Sequence, residues 1–211
     1  MRDRGTRFVS VEAGIGVGKS TMLPLLVDEL NRDSAKPWKQ VQEPVDDPMF
    51  AELLDKFYKE PTTENRVRFQ FYVTDARFDL VNSLPTDYNY VIERSLLSDV
   101  VFCQLNFLEM ECPEGHYMGY FYYISKRLKD YPQISDAVYL TCDPQVALAR
   151  IQSRGRECEK SITLDYVKDL HRFHDSCLPQ ACRVQGTTLR EYDWTNFGSV
   201  NQIARDFMGV K

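Results

Sequence analysis

A glycine-rich segment able to hold phosphate lies near the start of the chain. Residues 13–20 read AGIGVGKS, the Walker A pattern with Ala13 at its first glycine position. Glycines let backbone N–H groups turn inward around phosphate oxygens, and the N-terminus of a following helix favours the same negative charge. Lys19 would reach the β- and γ-phosphates, and the Ser20 hydroxyl would bind Mg²⁺. The segment predicts an ATP site at Gly14, Ile15, Gly16, Val17, Gly18, Lys19, Ser20 and Thr21.

Two acids and an arginine follow the next two candidate strands. Glu43 opens a Glu-Pro-Val element, and Glu93 and Arg94 open Glu-Arg-Ser. Ligands bind at the carboxyl ends of parallel strands, so these groups should converge near the γ-phosphate. Phosphoryl transfer to a hydroxyl needs a base and surrounding positive charge. Glu43 is the candidate base, Glu93 would hold Mg²⁺ or share that role, and Arg94 would clamp phosphate or orient a carboxylate.

Basic residues also follow a predicted helix later in the chain. Arg150 and Arg154 are four residues apart, so they share a helix face and can point at one anion, and Arg156 follows in a charged loop. The loop, at about 150–163, lies where a P-loop kinase closes a lid over its nucleotide. The alternative is a solvated basic helix end, which also suits the helix dipole.

A long predicted helix carries an amide and an arginine on one face. Gln70 and Arg77 are seven residues apart, nearly two turns, among Phe69, Val73 and Phe78. Such a pair suits recognition of the edge of a planar base. The alternative is the polar surface of an amphipathic helix.

The pattern of apolar residues predicts the elements that position these groups. Short β-rich runs alternate with helical stretches, which indicates a mostly parallel sheet covered on both faces. The predicted strands are 8–11, 40–42, 89–92, 137–140 and 187–192. The predicted helices are 19–31, 49–58, 63–84, one following Ile92 through Met110, 116–130, 145–154, 164–177 and 199–210. The length of 211 residues fits a single domain over residues 1–211.

Composition excludes several classes of protein. The formal net charge of −5 argues against binding to nucleic acid or to an anionic membrane surface. The six cysteines form no C-x-x-C pair, and no stretch approaches the length of a membrane helix. With no signal peptide or convincing transit peptide at Met1–Arg7, we expect reduced thiols and a cytoplasmic location.

Together these elements resemble the deoxyribonucleoside kinase family, particularly its deoxycytidine and deoxyguanosine kinase branch. The resemblance runs from Phe8 to about Asp175 and rests on residues 11–21, 43–45, 69–73 and 93–95, on the three arginines and on the segment after them. It implies an α/β P-loop NTPase fold, a central parallel sheet flanked by helices with an arginine lid. It also implies transfer of the ATP γ-phosphate to the 5′-hydroxyl of a deoxynucleoside with Mg²⁺, and a homodimer.

The resemblance also assigns roles to individual residues. Glu43 matches the base on the 5′-hydroxyl, Tyr58 and Glu159 match positions that hold the sugar 3′-hydroxyl, and Gln70 matches the amide that pairs with the base. Arg77 and Asp99 match an ion pair of the cytidine and purine branch, which implies that deoxycytidine or a deoxypurine is favoured over thymidine. The implied substrate-binding set is Glu43, Tyr58, Phe69, Gln70, Arg77, Arg94, Asp99 and Glu159; the implied ATP-binding set adds Arg150, Arg154, Arg156 and Asp193.

Two positions depart from the family near the base pocket. Pro48 stands where a tryptophan often lines that pocket, and Cys103 falls where a base-stacking phenylalanine is usual, with Phe102 one residue away. These departures affect the shape of the base pocket and leave the phosphate chemistry unchanged.

Three other functions compete with this interpretation. Thymidylate kinase or another nucleoside monophosphate kinase shares the loop and lid, but Asp46 and Asp47 would repel an acceptor phosphate. A catalytically silent assembly subunit of the same fold would be expected to have lost Lys19, Glu43 or Arg94, and all three are present. A P-loop GTPase would need a guanine-reading Asn-Lys-x-Asp element, which the sequence lacks.

Overall fold

Parallel strands form the centre of the molecule. Within residues 5–45, 47–109 and 113–208, the parts of the chain that the computed structural model describes, five strands pair in parallel in the order β2-β3-β1-β4-β5. The connection after β1 runs to β2 at one edge, whereas the connection after β3 runs to β4 on the other side of β1. The loops after β1 and β3 therefore flank the point where ligands bind in such sheets. The strands are β1 (Phe8–Glu12), β2 (Trp38–Val41), β3 (Asn89–Glu93), β4 (Ile134–Thr141) and β5 (Thr188–Asp193).

Helices cover both faces of the sheet. Four begin at side-chain caps, which satisfy the free N–H groups of a first turn: Asp47, Thr62, Asp143 and Thr163. The helices are α1 (Lys19–Asn31), α2 (Pro48–Lys59), α3 (Thr63–Asn82), α4 (Leu96–Glu109), α5 (Glu114–Asp130), α6 (Pro144–Arg154), α7 (Leu164–Gln185) and α8 (Val200–Met208). A 3₁₀ turn at Glu157–Glu159 separates α6 from α7.

Alternation along β4 shows how the core is divided. Val138 and Leu140 pack with α1 and α8, whereas Ala137 and Tyr139 pack with α4 and α7. Both sets are fully buried, because side chains alternate between the two faces of a strand and each face is covered. The predicted fold, a parallel α/β sheet with helices on both sides, is confirmed.

Some boundaries differ from the predicted ones. β2 begins at Trp38 rather than residue 40, because Trp38 and Lys39 pair with Asn89 and Tyr90 of β3. β4 starts at Ile134, three residues before its most apolar run. The predicted helix ends at Met110 and Val210 lie outside the described residues.

Helix α7 is longer than the sequence predicts. The sequence predicts an end at about Cys177, but the helix continues through Pro179 to Gln185 and ends at Gly186 in the left-handed conformation (φ 66°). Pro179 removes one backbone hydrogen bond. Leu178 and Cys182 continue a buried stripe toward α4 and β4, and this packing outweighs that loss.

No helix in the described part of the chain is both long and apolar enough to cross a membrane. The five cysteines in that part, Cys103, Cys142, Cys158, Cys177 and Cys182, are free thiols.

Candidate active site

The phosphate loop connects β1 to α1 and needs its glycines. Gly16 (φ 78°) and Gly18 (φ 107°) adopt the left-handed conformation, and a Cβ at Gly16 would collide with the carbonyl oxygen of Ala147. Ala13 does not adopt that conformation, which explains why alanine is accepted at the first position of the motif. The Lys19 ammonium donates to the carbonyls of Ala13 (3.3 Å) and Gly14 (2.9 Å) inside the loop.

Lys19 lies in an unusual electrostatic environment. Burial and the neighbouring positive charge of Arg94 lower the pKa of Lys19 to about 7, although Glu93 and Glu43 act in the opposite direction. Beside it, the Ser20 hydroxyl donates to Glu93 Oε1 at 2.9 Å. A hydroxyl and a carboxylate, both oxygen ligands of the kind that Mg²⁺ prefers, therefore meet at the mouth of the loop.

Glu43 is held between two arginines. Arg94 Nη1 donates to Glu43 Oε2 at 2.7 Å, and Arg77 Nη2 donates to Glu43 Oε1. Burial raises the pKa of Glu43, but the charges of Arg94, Arg77 and Lys19 outweigh it and lower the pKa to about 2. Arg94 Nη2 also donates to the carbonyls of Ala13 (3.3 Å) and Gly14 (3.4 Å). One guanidinium thus bridges the phosphate loop and the candidate base.

Arg77 connects Glu43 to a buried polar cluster on α3, α4 and α5. Its other guanidinium nitrogen donates to Asp99, and Gln70 Nε2 donates to the Asp99 carbonyl (3.3 Å) and to Tyr120 Oη (2.9 Å). Asn106 Nδ2 donates to Gln70 Oε1 at 3.4 Å. Asn106 and Tyr120 are not among the residues predicted from the sequence. The signal for both is a polar group within a mostly apolar stretch of helix.

The aromatic residue beside this cluster is Phe102, not residue 103. Phe102 lines the cavity, and the Arg94 guanidinium carbon lies 5.1 Å from its ring centre. Cys103 points away and is fully buried with Phe107 and Tyr120. Phe69 also lines the cavity, supported by Phe50 at 5.4 Å between ring centres. Pro48 is the exposed first residue of α2 and does not line it.

Two of the three predicted lid arginines share one partner. Arg154 donates to Glu159 at 2.7 Å, and Arg156 approaches the same carboxylate at 3.5 Å. Both line the cavity, as do Glu159 and Tyr58. Burial, followed by the neighbours Tyr166 and Glu159, raises the pKa of Tyr58 well above its usual value, so its phenol stays protonated.

Arg150 makes backbone contacts instead. It donates to the carbonyls of Val17 (2.9 Å) and Thr195 (2.7 Å), and its guanidinium carbon lies 4.2 Å from the centre of the Phe197 ring. Arg150 and Arg154 share a helix face, yet Arg150 contacts backbone carbonyls whereas Arg154 contacts the Glu159 carboxylate. Arg150 ties the phosphate loop to the β5–α8 connection. Asp193 is exposed, accepts from the Thr195 N–H at 2.8 Å and shapes that connection.

A single cavity of about 560 Å³ joins these groups, a size suited to small-molecule ligands. It runs from the phosphate loop past Glu43 and Arg94 to Gln70 and Asp99. A phosphate loop facing an acid–arginine cluster at the carboxyl end of a parallel sheet defines a P-loop phosphotransferase.

Residues 9–208 match the model of the deoxynucleoside kinase family, and the chain belongs to that family. It is 27% identical over 206 residues to deoxyguanosine kinase of Dictyostelium discoideum, a match that covers 95% of this chain and 68% of that protein. It is 28% identical over 202 residues to deoxycytidine kinase of Homo sapiens, with 82% of this chain and 76% of that protein covered.

Solved structures agree on the fold. Deoxyadenosine kinase from M. mycoides with bound dCTP superposes with a TM-score of 0.75 at 20% identity, over 97% of this chain and all of that one. The same enzyme with bound dATP gives 0.77 at 20% identity, over 96% and 99% of the two chains. The family assignment supports the deoxynucleoside kinase interpretation over both a monophosphate kinase and a silent assembly subunit.

Proposed function

We propose that this chain transfers the γ-phosphoryl group of ATP to the 5′-hydroxyl of a deoxynucleoside, at the site built around Glu43 and Arg94. The observation that carries the proposal is the position of Arg94, which donates both to Glu43 and to the phosphate loop. The candidate base and the phosphate loop therefore share one guanidinium, which supports positioning of both for transfer of a phosphoryl group between them.

The reaction follows from these charges. As the 5′-oxygen bonds to the γ-phosphorus, its proton passes to Glu43, and the bond to the β-phosphate oxygen breaks to release ADP. In the free site Glu43 is a weak base, because Arg94, Arg77 and Lys19 lower its pKa to about 2. Phosphates bound beside Lys19 and Arg94 offset those charges, so the pKa of Glu43 rises when the donor binds.

Mg²⁺ suits this site, because the Ser20 hydroxyl and the Glu93 carboxylate already lie 2.9 Å apart at the loop. A bound Mg²⁺ would neutralise charge on the donor phosphates. Lys19 and Arg94 supply the remaining positive charge, and Arg154 and Arg156 on the lid segment 150–163 would add to it and exclude water.

The acceptor occupies the other end of the cavity. Tyr58 and Glu159 hold the sugar 3′-hydroxyl, and Gln70, Arg77 and Asp99 face the base between Phe69 and Phe102. The Arg77–Asp99 pair fills space that a thymine methyl would need and offers charged partners to an amino group. A homodimer and a cytoplasmic location belong to the same proposal; sedimentation velocity tests the first.

A substrate panel tests the function. With ATP and Mg²⁺, we expect kcat/KM for deoxycytidine or a deoxypurine to exceed that for thymidine by at least about tenfold, the scale on which a pocket rejects an ill-fitting group. The four deoxynucleoside monophosphates serve as controls and should not be phosphorylated. A thymidine preference would contradict the base assignment, and phosphorylation of monophosphates alone would contradict the proposed function.

Phe102 should support the base. We expect Phe102→Leu to raise KM for the nucleoside about fivefold, since aromatic stacking contributes on the order of 1 kcal/mol beyond burial, with KM for ATP unchanged. Phe107→Leu is the matched control on the same helix, because Phe107 is buried away from the cavity. It should lower Tm without affecting KM. Equal effects of the two variants on KM would contradict the assignment.

Lys19 should give ATP binding a dependence on pH. Its pKa of about 7 in the free site means that raising the pH above 7 removes its charge before ATP binds. We expect kcat/KM for ATP to fall between pH 7 and about pH 9 while kcat stays level, because bound phosphates restore the proton. Lys19→Arg, which stays charged in this range, should lack the fall at whatever activity it retains. A level wild-type profile would contradict the prediction.

A further inference from the structure

A buried carboxylate lies behind the Glu93-Arg94-Ser95 turn. Glu12, the last residue of β1, has no exposed surface. Its Oε1 accepts from the Ser95 N–H (3.1 Å) and the Ser95 hydroxyl (2.6 Å), and its Oε2 accepts from the Ser98 hydroxyl. In the described part of the chain no Lys, Arg or His forms an ion pair with it. The three groups that donate to Glu12 come from Ser95, in the turn after β3, and from Ser98, in the first turn of α4.

A buried charge of this kind needs compensation. Removing a carboxylate from water is unfavourable unless hydrogen bonds replace the lost hydration. Glu12 receives three, and it also lies at the N-terminus of α4, where the helix dipole favours negative charge. An apolar side chain could fill this space without such compensation, so packing alone does not explain an acid at position 12.

The turn that Glu12 contacts has a constrained backbone. Arg94 has a φ of 57°, the left-handed conformation that residues other than glycine seldom adopt. Its N–H donates to the Val11 carbonyl at 3.1 Å, and the next N–H, that of Ser95, donates to Glu12. Two consecutive residues of β1 thus hold the two peptide groups that flank Arg94. Surrounding structure must fix such a conformation for it to persist.

We propose that Glu12 is a positioning residue for phosphoryl transfer: by holding Ser95 and Ser98 it fixes the turn that aims the Arg94 guanidinium at Glu43 and the phosphate loop. Glu12 does not line the cavity, so it acts through Arg94 rather than on substrate. The inference rests on the proposed function. Glu12 is the last residue of β1 and lies immediately before the phosphate loop. The end of this one strand therefore positions both the phosphate loop and the turn that carries Arg94.

Glu12→Gln tests this role, because glutamine keeps the shape but only one acceptor oxygen. We expect kcat to fall at least about tenfold, since small misplacements of reacting groups have large effects, with KM for the nucleoside changed by less than about twofold. Asp136→Asn is the matched control: Asp136 is another buried acid of the sheet, paired with Arg7 and Arg190 away from the cavity. It should lower Tm and leave kcat unchanged.

A double-mutant cycle separates positioning from general destabilisation. In an Arg94→Ala background, Glu12→Gln should lower kcat by less than about twofold further, because residues that act as a unit are non-additive. Multiplicative effects would overturn the proposal, as would a Glu12→Gln variant with wild-type kcat. Ser98→Ala removes one of the three donors and should lower kcat about threefold, with a smaller fall in Tm than Glu12→Gln because two donors remain. It keeps the test available if Glu12→Gln fails to fold. Wild-type protein inactive on every deoxynucleoside would instead overturn the proposed function.

Discussion

Glu43→Gln is expected to lower kcat by at least about a hundredfold, the effect typical of removing a general base. Glutamine keeps the size of the side chain, but its single acceptor oxygen replaces only one of the two that receive Arg77 and Arg94. It also cannot take the proton of the 5′-hydroxyl. KM for ATP should not rise. The negative charge of Glu43 repels the donor phosphates near Lys19 and Arg94, and glutamine removes that repulsion. Steady-state kinetics with saturating ATP and Mg²⁺ measure both quantities.

Stability has to be followed in the same variant. Glu43 lies between two buried guanidinium groups, so its neutralisation leaves Arg77 and Arg94 with less compensation, and Tm should fall. Glu52→Gln is the control: Glu52 forms an exposed pair with Lys56 on α2, and its loss should change neither kcat nor Tm. A Glu43→Gln variant with kcat within about tenfold of wild type would show that Glu43 is not the base.

The order of elements and the phosphate loop could be predicted from sequence because both depend on local patterns. Buried β-rich runs marked the strands, and AGIGVGKS between a strand and a helix marked the loop. The convergence of Glu43 with Arg94 also followed, since both come directly after parallel strands. In the structure the Arg94 guanidinium contacts both Glu43 and the phosphate loop.

Other features depend on packing between distant segments. Arg150 contacts the Val17 carbonyl, 133 positions away in sequence, a contact that no local pattern predicts. The choice between Phe102 and Cys103 depends on the rotation of α4 about its axis, which neighbouring helices set. The continuation of α7 past Pro179 likewise depends on packing of Leu178. At Pro179 local propensity favours an end of the helix, and tertiary contacts outweigh that propensity.

Arg94→Ala and Arg94→Gly should both lower kcat by at least about a hundredfold, the scale for a group that stabilises transition-state charge. Burial disfavours the charge on Arg94, but Glu43, Glu93 and Glu12 outweigh burial and raise its pKa, so the guanidinium stays positive. Arg94→Lys should recover little activity, because an ammonium cannot contact Glu43 and the loop carbonyls with one planar group.

The two variants should nevertheless differ in stability. The φ of 57° at Arg94 is strained for alanine and unstrained for glycine, a difference of about 1 kcal/mol. For a chain of this length that corresponds to a Tm about 2–4 °C higher in Arg94→Gly than in Arg94→Ala, measurable by differential scanning calorimetry. Such a result would mean that the fold accepts backbone strain at residue 94 because only a side chain there can join the base to the phosphate loop. Equal Tm values would show that the turn relaxes once the guanidinium is removed, and near-wild-type kcat in either variant would remove Arg94 from the mechanism.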